Sequence, residues 1–267
     1  MTGQLVCHCQ LVETDGHGLV LVDTGFGSRD VDDPYGRMSP LFVTMNRIRL
    51  DHRDTALEQV RNLGFSPRDV RHIVLTHLDF DHAGGLEDFP EAKVHVLRAE
   101  AEEAEVRQGF IHRRRYRPEQ WDEVRDWRFY DPSGETWFGF NSVRDLDGLP
   151  PEILMVPLPG HTMGHAGIAI DLPEGWLLNA GDAYFYRHEM DEEPSCTPGL
   201  LAYQTLMEEN RAMRLRNQER LRDLANDPST NVRIFCSHDP VELEALQRLS
   251  TGWRPLYAES LPRSRYS

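Results

Sequence analysis

Four short apolar segments of this chain run directly into histidine or aspartate, and this recurrence constrains the fold more than any other feature. The segments span residues 72–75, 153–158, 176–178 and 232–236. Each has the length and composition of a buried strand. Rigid scaffolds present functional groups on the loops that follow strand ends. We therefore expect these polar side chains to meet at one edge of a sheet.

The polar residues after the four segments have the chemistry of metal ligands. They are His77, Asp79, Asp81 and His82 after the first segment, His161 after the second, Asp182 after the third and His238 after the fourth. Imidazole and carboxylate without thiolate are typical of catalytic zinc, iron, manganese or cobalt sites. A single histidine is usually a hydrogen-bonded core or surface residue, but four such loops together favour a metal site.

The remaining pattern alternates strands with helices, which predicts an α/β protein. A hairpin is expected over 5–22 and further strands over 93–97 and 167–171, with helices over 54–63, 99–107, 200–224 and 241–249. Neither a linker nor a short-period repeat interrupts this pattern. We therefore expect a single domain over residues 1–267.

The charge balance excludes some partners. The chain has 29 Lys plus Arg against 44 Asp plus Glu, a formal net charge of −15, so nucleic acid and anionic membranes are repelled at long range. No apolar run approaches the roughly 18 residues of a membrane helix. Residues 1–10 lack the pattern of a secretory signal. We expect a cytoplasmic protein that binds neither nucleic acid nor membrane.

Four cysteines are too few and too scattered for a disulfide framework. Cys7 and Cys9 form a C-x-C pair that is able to bind a soft metal. If 5–11 is a strand, both side chains lie on one face, where small buried thiols are ordinary core residues. We prefer this second interpretation.

The ligand-bearing segments resemble those of a known family. The string THLDFDHAGG at 76–85 resembles the H-x-H-x-D-H signature of the metallo-β-lactamase superfamily, except that Asp79 stands where most relatives have histidine. PGHTMGH at 159–165 resembles the family's third-histidine loop, Gly181-Asp182 its bridging aspartate and Ser237-His238 its last histidine. The segment 21–25 resembles its early strand end. The resemblance covers about residues 5–239 and implies an αββα sandwich with a dinuclear metal site at the edge of the two sheets.

The resemblance also implies a role for each ligand. His77, Asp79 and His161 would hold metal one, whereas Asp81, His82 and His238 would hold metal two, with Asp182 bridging both. A glutamate at the position of Asp79 occurs in the di-iron flavodiiron relatives, so the acidic replacement is compatible with two metals. We expect two divalent ions, with zinc favoured, and with iron or manganese as alternatives because of the harder carboxylate donor.

Within the superfamily the chain looks most like the N-acyl-homoserine lactonase branch. This resemblance implies a metal-dependent hydrolase that opens a small-molecule lactone or carboxylic ester, with Asp81 passing a proton to the leaving group. Tyr184 and Tyr186 follow Asp182 closely and either donate to the oxyanion or pack over the pocket. The alternatives are a glyoxalase-II-like thioesterase, a di-iron redox protein and a non-catalytic sensor. A homodimer is compatible with the sequence.

Three further features need an interpretation. Asp23-Thr24-Gly25 matches the triplet of aspartic proteases, but those enzymes need two triplets, so we take Asp23 as a hydrogen-bonding residue. His165 is placed to orient a ligand by hydrogen bonding. The basic cluster at 113–117 is able to bind an anion, but we expect a solvated face that pairs with Glu102, Glu103 and Glu105.

Overall fold

The computed structural model describes residues 4–132, 134–142 and 146–249. Its strands are β1 (Gln10–Thr14), β2 (Gly18–Val22), β3 (Val70–Val74), β4 (Lys93–Leu97), β5 (Trp127–Tyr130), β6 (Thr136–Trp137), β7 (Phe140–Asn141), β8 (Ile153–Pro157), β9 (Ala166–Leu172), β10 (Gly175–Asn179) and β11 (Val232–Phe235). Its helices are α1 (Ser28–Asp32), α2 (Pro34–Arg37), α3 (Pro40–Asn46), α4 (Ala56–Asn62), α5 (Phe80–Ala83), α6 (Arg98–Val106), α7 (Gly109–Arg115), α8 (Pro198–Met207), α9 (Arg211–Ala225) and α10 (Pro240–Leu249).

Two larger sheets form the centre of the molecule. The first has the order β1-β2-β3-β4-β5, with β1 antiparallel to β2 and the other neighbours parallel. The second has the order β11-β10-β9-β8, in which only β10 and β11 are parallel. The strands β6 and β7 make a separate short hairpin. Strands β3, β8, β10 and β11 are those that lead into the candidate ligands.

The apolar side chains divide into layers that show how the sheets pack. One cluster joins Val20 and Val74 of the first sheet to Met155 and Ile168 of the second, so the two sheets pack face to face. A second cluster covers the outer face of the first sheet with residues from α4 and α6, and a third covers the second sheet with residues from α9. Helix, sheet, sheet and helix therefore follow one another, which confirms the αββα sandwich.

Glycines allow the loop after β3 to approach the loop after β2. A Cβ on Gly84 would lie 2.7 Å from the carbonyl oxygen of Gly25, and a Cβ on Gly27 would lie 2.2 Å from that of Gly84. Real Cβ atoms do not tolerate such distances, so both positions need glycine. The glycine after Ala83 is therefore required by the close backbone packing beside the ligand loop.

Two predicted elements are wrong in extent. The helix expected over 200–224 is two helices, because the backbone becomes extended at Glu208 and the amides of Glu209 and Asn210 donate to Gly160 O at 3.0 and 2.9 Å. The Asn210 side chain then caps α9 by accepting from Met213 N. The first strand begins at Gln10, so the segment with Cys7 and Cys9 lies before it.

No helix among the described residues is both long and apolar enough to cross a bilayer.

Candidate metal centre

The loop between β3 and α5 is fixed by Asp23, which follows β2. Oδ1 of Asp23 accepts from Thr76 N at 2.8 Å, and Oδ2 accepts from Thr76 Oγ1 at 2.8 Å. Nδ1 of His82 lies 2.9 Å from the same Oδ2. A carboxylate that accepts from Nδ1 fixes the tautomer and leaves Nε2 free for a metal. Asp23 therefore takes the hydrogen-bonding place expected from the sequence.

The buried carboxylate of Glu100 ties together the two loops that carry the first histidines. It accepts from Leu78 N at 2.8 Å and from Thr162 Oγ1 at 2.6 Å. Burial raises the pKa of Glu100 to about 7, although both hydrogen bonds oppose the shift. Because the two loops share this one acceptor, His77 and His161 are held in a fixed relation to each other.

His165 positions the loop after β10. Its Nε2 accepts from the amide of Asp182 at 2.9 Å, while Nδ1 lies 3.1 Å from Leu158 O. Burial lowers the pKa of His165 to about 3, so the ring is neutral and Nε2 remains an acceptor. His165 thus acts on the main chain of the ligand Asp182, as the sequence suggested.

The segment before β1 holds the fourth loop. His238 Nδ1 lies 2.6 Å from Val6 O, and Val6 N donates back to His238 O at 3.2 Å. His8 N donates to Ser237 O at 2.9 Å. These bonds turn Nε2 of His238 towards Asp182. The segment around Val6, which precedes β1, is therefore part of the site.

Four ligand-type residues form what we call the first ligand group: His77, Asp79, His161 and Asp182. Oδ2 of Asp79 lies 3.4 Å from His77 Nε2 and 3.0 Å from His161 Nε2. Oδ2 of Asp182 lies 3.4 Å from His161 Nε2 and 3.9 Å from His77 Nε2. All four side chains are buried.

The second ligand group consists of His82, His238 and Asp182. Oδ1 of Asp182 lies 3.2 Å from His82 Nε2 and 3.0 Å from His238 Nε2. Oδ2 of Asp81 is 3.8 Å from His238 Nε2, and Asp81, His238 and Cys7 form a further cluster of ligand-type atoms. The structure thus brings all seven predicted ligands together, with Asp182 shared between the groups.

The donor sets fit divalent metal ions. Zn–N bonds of about 2.0–2.1 Å place neighbouring tetrahedral ligands about 3.3 Å apart, close to the separations just given. Nε2 of His77 and Nε2 of His82 are buried and have no hydrogen-bond partner among the described residues. Buried polar atoms without a partner are costly unless a ligand completes them. The neutral and anionic donors that converge here are suited to that ligand being a cation.

Charge within the site follows the same arrangement. Burial opposes ionisation of Asp182, but His238, His82 and His161 lower its pKa well below the usual value. Burial likewise opposes protonation of His82, but Asp182 and Asp23 raise its pKa. Burial raises the pKa of Asp81.

The basic cluster at 113–117 is not a uniformly solvated face, so that prediction is wrong for Arg115. Arg115 is 2 % exposed, and its Nε lies 2.9 Å from Asp79 Oδ1. Its Nη1 lies 3.0 Å from Glu209 Oε1. A buried guanidinium has no solvent to hydrate it, so it pairs with the nearest carboxylates. One feature of the sequence indicates this contact. Asp79 stands where most relatives have histidine, and a buried carboxylate at that position needs a nearby cation to compensate its charge.

Tyr184 does not face the ligands, which corrects its proposed role as an oxyanion donor. Its ring is buried in the apolar cluster of the second sheet, and its hydroxyl donates to Glu242 Oε1 of α10 at 2.9 Å. Tyr186 is half-buried and packs against Arg187 and His188. The hydroxyl of Tyr184 is therefore engaged away from the ligands, whereas the ring of Tyr186 contacts Arg187 and His188.

Another tyrosine, Tyr203 of α8, lines the groove beside the ligands and was missed from the sequence. Its ring centroid is 5.9 Å from that of Phe185. Burial raises the pKa of Tyr203, and so do the carboxylates of Asp81, Asp182 and Asp79. The groove also contains apolar side chains, namely Phe26, Phe42, Phe80, Phe185 and Met207. No sequence pattern marks Tyr203, because its position beside the ligands depends on where the fold places α8.

Comparisons with known proteins agree with this geometry. The family model described as the metallo-beta-lactamase superfamily matches residues 2–225. A probable metallo-hydrolase of Mycobacterium tuberculosis is 44% identical over 236 residues, covering 88% of this chain and 75% of that protein. The N-acyl homoserine lactonase AttM of Rhizobium johnstonii is 29% identical over 238 residues, covering 86% and 80%. An AiiA variant of B. thuringiensis with N-decanoyl-L-homoserine at its active site has a TM-score of 0.67 at 23% identity, covering 90% of this chain and 84% of that one, which shows a shared fold.

Proposed function

The chain belongs to the metallo-β-lactamase superfamily and is a metallo-hydrolase, and from this premise we propose that it opens a lactone or carboxylic ester with two divalent metal ions. The observation that carries the proposal is that both ligand groups share the Asp182 carboxylate. Its Oδ2 lies 3.4 Å from His161 Nε2 and its Oδ1 lies 3.2 Å from His82 Nε2, while His238 Nε2 lies 3.0 and 3.1 Å from Oδ1 and Oδ2. A carboxylate shared in this way is suited to bridging two ions. Zinc is the favoured metal, with iron or manganese as alternatives.

Two bound divalent ions supply a water of lowered pKa and polarise the carbonyl that is attacked. The protein's contribution is to fix the ligands before substrate arrives. Asp23 and His165 orient His82 and the Asp182 main chain, so the site needs little rearrangement. Asp81, whose Oδ2 lies 3.8 Å from His238 Nε2, would take the proton that the attacking water releases and pass it to the leaving alkoxide.

The groove supports a substrate with an apolar part. Phe26 and Phe42 line it and pack against Phe80, which follows Asp79 in the chain. An acyl chain gains roughly 25 cal/mol for each Å² of apolar surface that the groove removes from water. The relatives named as N-acyl homoserine lactonases support the same substrate class. We therefore propose an N-acyl homoserine lactone or a related ester with an apolar acyl group.

The test measures hydrolysis of N-acyl homoserine lactones, aryl esters and thioesters by chelated and metal-reconstituted protein. We expect lactone or ester hydrolysis only with metal, and loss of most activity in Asp182→Ala, because the shared carboxylate is gone. Asp171→Ala is the matched control, since Asp171 is exposed on β9. A thioester preference would favour the glyoxalase-II-like alternative, whereas an Asp182→Ala variant as active as the parent would contradict the two-metal mechanism.

A further inference from the structure

Arg115 is a buried cation in contact with a residue of the first ligand group. It is the last residue of α7, and its Nε lies 2.9 Å from Oδ1 of Asp79. Both side chains are almost fully removed from solvent. Breaking a buried pair by removing one partner is strongly destabilising, because the remaining charge has no compensation. Replacing either Asp79 or Arg115 alone is therefore expected to destabilise the other.

The pair divides the two oxygens of Asp79 between different partners. Oδ1 faces Arg115, whereas Oδ2 faces His161 Nε2 at 3.0 Å and His77 Nε2 at 3.4 Å. Asp79 therefore offers one oxygen, and not a bidentate carboxylate, to the space shared with the two histidines. A single oxygen donor occupies the place that one imidazole nitrogen has in a ligand set with histidine.

Other contacts prevent Arg115 from moving away from the site. Its Nη1 donates to His161 O at 3.2 Å and lies 3.0 Å from Glu209 Oε1. Its Nη2 donates to Met207 O. Glu209 and Met207 are themselves held in place at the break between α8 and α9, because Glu209 N donates to the carbonyl oxygens of Gly160 and His161. Arg115 thus stays beside Asp79 as a fixed part of the site.

We propose that Asp79 and Arg115 act as one unit that replaces a histidine at the first metal position. The guanidinium cancels the charge of the carboxylate, so the unit supplies one oxygen donor without adding net negative charge. Arg115 is a positioning residue, since it acts through Asp79. The inference rests on the proposed two-metal centre. It implies that the acidic ligand alone does not turn the site from zinc towards harder metals.

A double-mutant cycle tests this unit through zinc affinity, measured by competition with a chromophoric chelator. The proteins are the parent, Asp79→His, Arg115→Met and Asp79→His/Arg115→Met. Asp79→His should bind one zinc ion about 100-fold more weakly, in the range known for altered residues around metal ligands, because Arg115 remains buried beside the ion without the carboxylate that faces its Nε. The double variant should recover at least about ten-fold of this loss, since contacting residues couple by such factors.

Controls separate this proposal from a structural role and from the proposed function. Arg115→Lys keeps the charge and should retain more affinity than Arg115→Met, whereas Arg98→Met changes an exposed pair with Asp131 and should have no effect. Thermal unfolding of chelated protein detects misfolded variants. Variants that unfold more easily but bind zinc like the parent, or a double variant no better than Asp79→His, would overturn the inference alone. A parent that binds fewer than two ions would overturn the proposed function and, with it, this inference.

Discussion

Residues outside the two ligand groups orient the side chains within them. His165 is neutral because burial lowers its pKa to about 3, and it therefore accepts from the Asp182 amide throughout the physiological range. Asp23 does the same for His82 by accepting from its Nδ1. Such outer partners typically change metal affinity 10–100-fold when they are replaced. The orientation of His82 and Asp182 is thus fixed by hydrogen bonds to surrounding residues.

The hydroxyl of Tyr203 is the one we expect to act on the substrate. Tyr203→Phe should lower kcat by roughly 10²–10³, the usual cost of removing an oxyanion donor, because the tyrosine lines the groove beside the ligand carboxylates. Tyr184→Phe is the matched control. It should leave kcat unchanged and lower the free energy of unfolding by about 1 kcal/mol, since it loses the hydrogen bond to Glu242. Steady-state kinetics and urea unfolding provide both values, and equal kcat values for the two variants would contradict the assignment.

At the scale of elements, the strands were more predictable than the helices. Period and composition alone indicated β4, β8, β10 and β11 close to their observed bounds, because each is a short, largely apolar run that polar residues follow. The break after α8 was not predictable. Residues 208–210 contain neither glycine nor proline, and the break is stabilised by hydrogen bonds to Gly160, which is distant in sequence. The position of Arg115 escaped prediction for the same reason.

This break gives a prediction about stability. Asn210→Ala removes the side chain that caps α9 at Met213 N, which should lower the free energy of unfolding by about 1 kcal/mol. Asn62→Ala serves as the control, because Asn62 is an exposed residue within α4. Urea unfolding followed by circular dichroism measures both variants. Equal midpoints for Asn210→Ala and the parent would show that the cap contributes nothing.

Two histidines on neighbouring strands make stability depend on pH. His72 Nδ1 lies 2.9 Å from His95 Nε2, and burial lowers their pKa values to about 4 and about 3. The unfolded chain takes up these protons near pH 6.5 but the folded protein does not. Stability should therefore be complete above pH 6.5 and should fall as the pH decreases towards 4.

The measurement is urea unfolding of chelated parent and His95→Gln protein between pH 7.5 and pH 4. This range extends from about one unit above to about two and a half units below the pKa of an unfolded histidine. The loss of unfolding free energy with falling pH should be smaller in His95→Gln, because one of the two buried groups no longer titrates. Chelation removes the contribution of metal release from both proteins. Parallel curves would contradict the prediction.

At the scale of the whole molecule, the site joins both sheets. The first sheet supplies His77 and Asp79 through the loop after β3, and the second supplies His161, Asp182 and His238 through the loops after β8, β10 and β11. Three carboxylates, those of Asp79, Asp81 and Asp182, converge where the sheet edges meet. A cation bound there would link the two halves of the sandwich and relieve the repulsion between these groups.

Metal removal should therefore lower Tm, and added zinc should restore it in a concentration-dependent way. Zinc at 100 times its Kd is expected to stabilise the fold by about 2.7 kcal/mol per site. Differential scanning calorimetry of chelated and reconstituted protein measures the change. In Asp182→Ala the gain should be much smaller, because both ligand groups lose a member. An identical Tm with and without zinc would contradict a site that spans the two sheets.

The hydrogen bonds between Val6 and His238 have a consequence for biosynthesis. Val6 leaves the ribosome long before His238, yet each is needed to orient the other's segment. The strands β1, β2, β3 and β4 can already pair in the first sheet while His238 and Val6 are still apart. The binding of a metal ion by the second ligand group would therefore be a late event, after β11 has been translated and has docked beside β10.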